Sequence, residues 1–175
     1  MYYESDINCY SLMIKDILFF QQNTEFGLTE RYLATLAKGL DRTRFRAHII
    51  YPDANSLQEF NDLADCEVEL HLLPEEIFRM LSLQSVKIII DYLMRLQPDL
   101  IHFNDPGVIG MVAARLYNNS PIVMTHHTPE LNRNYSWFGK ILEKAAFSGE
   151  TQAIFTSKQD CATGTALDGN KKWEN

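Results

Sequence analysis

Short apolar segments alternate with segments of helical periodicity along most of this chain, and this alternation restricts the fold more than any other feature. Buried strands are predicted at 15–21, 45–51, 67–73, 99–103, 121–126 and 151–157. Helices are predicted between them at 29–40, 55–64, 75–96, 107–117 and 136–147. Strict alternation implies parallel strands joined by right-handed crossovers, and strands with little polar alternation imply helices on both faces. The sequence therefore predicts an α/β fold, a Rossmann-like doubly wound parallel sheet in a single domain.

Length and charge narrow the class of protein. A chain of 175 residues with 46% hydrophobic content suits one globular domain, which at this size buries roughly 70% of its unfolded surface. The net charge of −7 disfavours nucleic acid as the main partner, because phosphate contacts need a basic surface. The three cysteines are scattered, with neither metal spacing nor a disulfide framework, so we expect a cytoplasmic protein.

The ends of the chain differ from its middle. Residues 1–12 contain no Lys or Arg and no long apolar core, so they do not resemble a signal peptide and are predicted to be an N-terminal extension. Residues 13–158 hold all the predicted strands and helices and form the predicted domain. Residues 159–175 are polar and rich in turn formers, and we expect them to be a tail. No apolar run approaches the ~20 residues that span a bilayer.

Polar segments follow three of the predicted strands, and they mark the expected site. They are QQNTEFGLTER after the first strand, HFNDPG at the end of the fourth and THHTPE at the end of the fifth. In open parallel sheets, ligands bind beyond the carboxyl ends of the strands, where the strand order reverses. We therefore expect His102, Asp105, His126 and His127 to converge on one cleft.

The first of these segments opens a helix. Gly27, followed by Thr29 and Glu30, would let backbone N–H groups approach an anion at the helix N-terminus. The alternative is that Gly27 only makes the turn and Thr29 only caps the helix. A single glycine is neither a G-x-G-x-x-G fingerprint nor a P-loop, which argues against a nucleotide-binding oxidoreductase.

The second segment combines a turn with a helix start. Asp105 is the predicted N-cap and Pro106 the predicted first helical residue of the next helix. His102 lies within the strand, either as a core histidine or as a ligand contact. Asn104 leaves the strand end and can both donate and accept hydrogen bonds.

The histidine pair at 126–127 first suggests a metal site. Adjacent side chains on a strand point to opposite faces, so His126 and His127 cannot easily bind one ion together. A site made of His102, one of the pair and Glu130 is the alternative, but it lacks a recognised zinc spacing. We therefore expect no metal here, and a hydrogen-bonding histidine in a polar pocket instead.

These motifs, in this order, resemble the N-terminal domain of family 4 glycosyltransferases, which have the two-domain GT-B architecture. The loop at 27–31, Gly-Leu-Thr-Glu-Arg, resembles the family's Gly-Gly-x-Glu-Arg loop. The segment at 98–104, Pro-Asp-Leu-Ile-His-Phe-Asn, resembles its Pro-Asp segment that ends in His-x-His. The segment at 125–128, Thr-His-His-Thr, resembles its Thr-x-His-Thr. The resemblance covers about 13–158, and its specificity comes from the order and spacing of motifs that are individually weak.

The resemblance implies roles for these residues. His127 would be the catalytic histidine, facing the cleft and hydrogen-bonding the donor sugar near the reacting carbon, while His126 would point away. The substrate-binding residues would be Gly27, Thr29, Glu30, Arg31, His102, Asn104, Asp105, Thr128 and Glu130. Transfer would retain the anomeric configuration and use a nucleotide-sugar donor, with neither a cofactor nor a metal.

The resemblance also implies partners. The acceptor would be a glycan, a lipid-linked sugar or a small molecule, and the nucleotide would be held by a C-terminal domain or by a partner chain. That C-terminal domain is expected to be absent from these residues, so the chain alone would be inactive. Leu28 replaces the family's second glycine and Asn104 replaces its second histidine, so a non-catalytic binding or assembly subunit with the same fold is the alternative function.

Peripheral membrane contact is a further alternative. The predicted helix at 136–147 places Trp137, Phe138 and Leu142 near Lys140 and Lys144, as in an interfacial helix that meets a lipid-linked acceptor at the inner face of the membrane. Packing against the core explains the same apolar residues.

Overall fold

The strands of the protein form one sheet with a point where their order reverses. The computed structural model describes residues 13–23, 27–53, 67–79, 82–105, 107–127, 141 and 152–155. The strands are β1 (Lys15–Gln21), β2 (Phe45–Pro52), β3 (Val68–Leu73), β4 (Leu100–Asn104), β5 (Ile122–His126) and β6 (Gln152–Phe155). Their order across the sheet is β3-β2-β1-β4-β5-β6, and all neighbouring pairs are parallel. The predicted Rossmann-like fold is confirmed, and its strand order reverses between β1 and β4, where a crevice is expected in such a fold.

The helices follow the predicted alternation with one correction. They are α1 (Leu28–Gly39), α2 (Glu76–Arg79), α3 (Leu83–Leu96) and α4 (Val108–Tyr117). The single helix predicted at 75–96 is wrong, because α2 ends at Arg79 and Ser82 caps a new helix by accepting the backbone N–H of Ser85 at 3.0 Å. The helix predicted at 55–64, and all of the one at 136–147 except Ile141, lie outside the described residues.

Each face of the sheet has its own apolar cluster. On one face Leu18, Phe20 and Phe103 pack with buried residues of α3 and α4. On the other face Phe19 and Ile49 pack with α1. Because consecutive strand residues serve opposite clusters, both kinds of position are apolar, and this explains the lack of polar alternation in the strands.

Polar residues interrupt this apolar pattern at the carboxyl ends of the strands. Gln21 ends β1 and lies beside Asn104 at the end of β4, which in turn lies beside Thr125 of β5. All three side chains are fully buried. The sheet therefore presents a row of buried polar groups to the crevice on the side covered by α1.

Candidate functional site

The side chain of Asn104 connects the three central strands to α1. Its amide nitrogen donates to Oε1 of Gln21 at 3.1 Å and to the backbone carbonyl of Thr29 at 3.0 Å. Both partners are acceptors, so they fix which side of the amide carries the nitrogen. The amide oxygen then faces Nε2 of His127 at 2.9 Å.

His127 is held in position from three directions. Because the oxygen of Asn104 can only accept, the nitrogen Nε2 of His127 must carry the hydrogen. The backbone N–H of His127 donates to Oδ1 of Asp105 at 2.9 Å, and the ring meets the edge of Tyr32 with centroids 4.8 Å apart. In the neutral ring, Nδ1 is then the nitrogen that can accept a hydrogen bond or take up a proton.

A buried carboxylate ends this chain of hydrogen bonds. Glu30 is 2% exposed, and it accepts hydrogen bonds from Gln21, from Asn23 at 3.0 Å and from the backbone N–H of Gly27 at 2.7 Å. Burial raises the pKa of the Glu30 carboxyl, but hydrogen bonds from Asn23, Thr29 and the backbone outweigh it and hold the pKa below its ordinary value. The carboxylate also lies in the first turn of α1, where the helix dipole favours negative charge.

The start of α1 differs from the sequence-based prediction of its N-cap. Gly27 is the N-cap, and Thr29 lies inside the helix, so the proposed capping role of Thr29 is wrong. The N–H of Gly27 binds Glu30, so this donor is used within the protein rather than offered to an anion. Arg31 is exposed, and the neighbouring Leu28 is 83% exposed.

Asp105 has a different role from the predicted N-cap. Helix α4 begins at Val108 and its N-cap is Gly107, so the prediction of Asp105 as the N-cap is wrong. The prediction for Pro106 falls on a residue that the structure does not describe. Asp105 adopts a left-handed backbone with φ of 50° and turns its carboxylate toward the backbone of His127. The residue therefore joins the end of β4 to the loop after β5.

His102 is a core histidine. It is 6% exposed, its Nε2 lies 2.8 Å from the hydroxyl of Thr125, and its ring packs near Phe19. Burial, with a smaller contribution from His127, lowers the pKa of His102 to about 4. The structure thus favours the core interpretation of this residue over direct ligand contact.

Three residues that contact the network were not predicted as site residues, namely Gln21, Asn23 and Tyr32. Gln21 carries a usable signal, because it is a polar residue that directly follows the apolar run at 17–20. Thr128, Glu130 and the side chain of His126 lie outside the described part of the chain.

Solved structures share this architecture. HepE (Alr3699) of Anabaena in complex with UDP aligns with a TM-score of 0.63 and 18% identity, covering 89% of this chain and 41% of that chain. A second HepE structure, with UDP and glucose, aligns with a TM-score of 0.52 and 16% identity, covering 89% of this chain and 50% of that chain. MurG of Acinetobacter baumannii aligns with a TM-score of 0.51 and 15% identity, covering 80% of this chain and 44% of that chain. Identities this low establish a shared fold, and the chain spans half or less of each of these proteins.

The sheet order and these structural neighbours define one half of a GT-B glycosyltransferase fold. The chain belongs to Glycosyltransferase Family 4, whose family model matches residues 29–162. No protein of curated function matches the sequence. Among the described residues, no helix is both long enough and apolar enough to cross a membrane.

Proposed function

We propose that this chain is the acceptor-binding half of a retaining glycosyltransferase. The enzyme moves a sugar from a nucleotide-sugar donor to a glycan, a lipid-linked sugar or a small molecule. The family supports sugar transfer, and the structures of HepE in complex with UDP and in complex with UDP and glucose support a nucleotide-sugar donor. Residues 13–158 form the acceptor-side domain in this proposal, and 159–175 lead toward the hinge.

One observation carries the proposal: His127 is held at the crevice by Asn104 and Asp105. Within the described residues these contacts use Nε2 and the backbone N–H of His127, so the proposal assigns to Nδ1 the hydrogen bond from a sugar hydroxyl. A ring fixed in this way loses little freedom when it binds, and preorganised hydrogen bonding is the principal means of stabilising charge in a transition state.

The other half of the reaction is supplied from outside this domain. A C-terminal nucleotide-binding domain or a partner chain holds the nucleotide, and the sugar reacts in the cleft between the two halves. The cleft needs no metal in this proposal, because the leaving nucleotide is neutralised by the second half. We place the reaction on the cytoplasmic side, with the exposed Leu28 near an apolar part of the acceptor.

The test joins this chain to the nucleotide-binding domain of a GT-B transferase and measures the release of UDP from UDP-sugars with mixed glycan and lipid-linked acceptors. We expect transfer that is lost in His127→Ala. The alternative function, a non-catalytic binding or assembly subunit, predicts a folded hybrid that binds the UDP-sugar but shows no His127-dependent turnover. That result would overturn the catalytic proposal.

A further inference from the structure

A second group of histidines lies away from the crevice. His48 of β2 lies beside Glu69 of β3 in the sheet register, and His71 is two residues further along β3. Residues two apart on a strand share a face, so Glu69 and His71 both lie on the side of His48. This is the face covered by α3, where the rings of Tyr92 and His71 make an edge-to-face contact with their centroids 5.7 Å apart.

The three side chains bring one ligand atom each to a common point. Nδ1 of His48 lies 3.2 Å from Nε2 of His71 and 3.3 Å from Oε2 of Glu69, and all three atoms lie within 4.8 Å of one another. Zinc binds histidine nitrogen and carboxylate oxygen at about 2.0–2.2 Å, so tetrahedral ligands lie roughly 3.4 Å apart. The separations of Nδ1 of His48 from His71 and from Glu69, 3.2 and 3.3 Å, are close to that spacing.

The far side of the His48 ring has the partner that a metal-binding histidine usually has. Its Nε2 lies 3.1 Å from Oδ1 of Asp16, and a carboxylate can only accept. The hydrogen of the neutral ring is therefore on Nε2, and the lone pair of Nδ1 points toward His71 and Glu69. A carboxylate behind a histidine fixes the tautomer and raises the basicity of the ligand nitrogen.

The cluster has more acceptors than donors when His48 is neutral. Nδ1 of His48 and the carboxylate of Glu69 both accept, and His71 has a single Nε2 hydrogen to offer. When the hydrogen of His71 is on Nδ1 instead, all three atoms are acceptors, and a cation between them satisfies all of them. The competing arrangement is a doubly protonated His48 held between the carboxylates of Asp16 and Glu69, with no ion bound.

We propose that His48, Glu69 and His71 form a binding site for a divalent transition-metal ion, with Zn²⁺ as the best match. Two imidazoles and one carboxylate are a recognised zinc ligand set, and a water molecule supplies the fourth ligand. The side chain of Glu69 is 54% exposed and gives the ion a path from solvent.

The ion would act on the sheet rather than on sugar transfer. His48 lies on β2 and Glu69 and His71 lie on β3, so a bound ion would link the edge strand β3 directly to β2. Asp16 of β1 would support the ion only through its contact with His48. This proposal departs from the sequence-based expectation of no metal, which rested on the lack of a metal-ligand spacing, on the histidine pair at 126–127 and on the family resemblance. The proposal does not depend on the proposed glycosyltransferase activity.

The test titrates ZnCl₂ into the full chain after dialysis against EDTA, with calorimetry and melting temperature as readouts. We expect one equivalent to bind and to raise the melting temperature. His71→Ala and Glu69→Gln remove a ligand each and should weaken binding on the order of 100-fold or more, beyond the 10–100-fold that loss of an outer partner costs. Asp16→Asn, which changes the outer partner of His48, should weaken Zn²⁺ binding by about 10–100-fold.

Matched variants separate this site from binding elsewhere. Glu76→Gln removes an exposed carboxylate outside the cluster, and His127→Ala removes a histidine of the crevice. Both should keep the wild-type affinity for Zn²⁺. Circular dichroism before metal addition checks that each variant is folded. If His71→Ala is unfolded, Glu69→Gln tests the ligand set in its place. The proposal is overturned if the wild type binds no Zn²⁺ or if folded cluster variants bind it as tightly as the wild type does.

Discussion

His127 and His102 lie on the same side of the sheet but have different surroundings. His127 lies at the rim of the crevice, with Asn104 on its Nε2, whereas His102 is buried against Thr125. This difference separates their expected mutant phenotypes. One should affect the rate of sugar transfer, and the other should affect the pH dependence of folding.

In the two-domain enzyme, His127→Ala should reduce kcat/KM by ~100–1000-fold, or about 2.7–4 kcal/mol, because a preorganised hydrogen bond to the transition state is lost. Steady-state kinetics with saturating acceptor would measure it. His126→Ala is the neighbouring control, since adjacent strand residues point to opposite faces, and its rate should be much less affected. A folded His127→Ala enzyme with near-normal turnover would show that the histidine is structural.

The hydrogen on Nε2 of His127 gives a second prediction, for the chain alone. Long-range ¹H–¹⁵N NMR of the imidazole should show the Nε2–H form at neutral pH, because Asn104 offers only an oxygen to this nitrogen. Asn104→Leu removes the acceptor, and the two tautomers should then mix. An Nδ1–H ring in the wild type would contradict the hydrogen-bond assignment.

His102 should make the protein sensitive to mild acid. Its pKa is lowered from 6.5 to about 4 in the folded state, so the unfolded chain takes up the proton first as the pH falls. Its contribution to stability is therefore complete above pH 6.5 and decreases as the pH falls through the window toward 4. The full difference corresponds to about 3 kcal/mol.

Urea unfolding of wild type and His102→Gln at several pH values between 7 and 4 would measure this effect. Glutamine keeps a hydrogen-bonding group for Thr125 but does not titrate, so the variant should lose less stability over that window. The carboxylates titrate in both proteins, and the difference between the two curves isolates His102. Parallel curves would mean that His102 has an ordinary pKa.

At the scale of the element, the position of α4 depends on Gly110. A Cβ atom at this residue would lie 2.8 Å from Gln22 and 2.9 Å from Phe103 and Phe20. Gly110→Ala should therefore cost about 1–3 kcal/mol through overpacking, although alanine gains roughly 1 kcal/mol in helix propensity. The midpoint of urea unfolding measures the change.

Gly39→Ala is the matched control, because no atom lies within 4 Å of the added Cβ at the end of α1. It should be neutral or stabilising by up to about 1 kcal/mol. Equal effects at the two glycines would show that close packing of α4 is not what Gly110 provides.

The elements also show where local sequence misleads. Apolar periodicity continues across 75–96, and it does not predict that a new helix begins after an N-cap at Ser82, whose backbone is extended. Asp105 followed by Pro106 and Gly107 has the composition of a helix start. The structure uses the carboxylate of Asp105 for the backbone of His127 instead, 22 residues along the chain. Local propensity could not reveal a partner that is distant in sequence.

At the scale of the whole molecule, the purified 175-residue chain should show no appreciable sugar transfer. A GT-B transition state is assembled between two halves, and positioning supplies a large part of such rate gains. The chain spans only 41% and 44% of the HepE and MurG structures that share its fold. An assay of UDP release with mixed acceptors would check this, with His127→Ala to identify activity from contaminants, and turnover that depends on His127 would contradict it.

The sequence by itself determined the architecture. Alternating strand and helix segments require parallel strands with crossovers, and apolar residues at consecutive strand positions require helices on both faces. The polar segments at 21–31, 102–107 and 125–130 then had to lie at one edge of the sheet, because parallel strands end together. Periodicity and chain direction are local properties, so one sequence is enough to read them.

Only the tertiary structure decided which of these polar residues act together. Asn104 binds Gln21, 83 residues away, and His127, 23 residues away, while His102 on the same strand is buried against Thr125. The cluster of His48, Glu69 and His71 likewise depends on the register of β2 against β3. Such contacts follow from strand register and side-chain direction, which are set by packing across the whole sheet and leave no signal at any one position in the sequence.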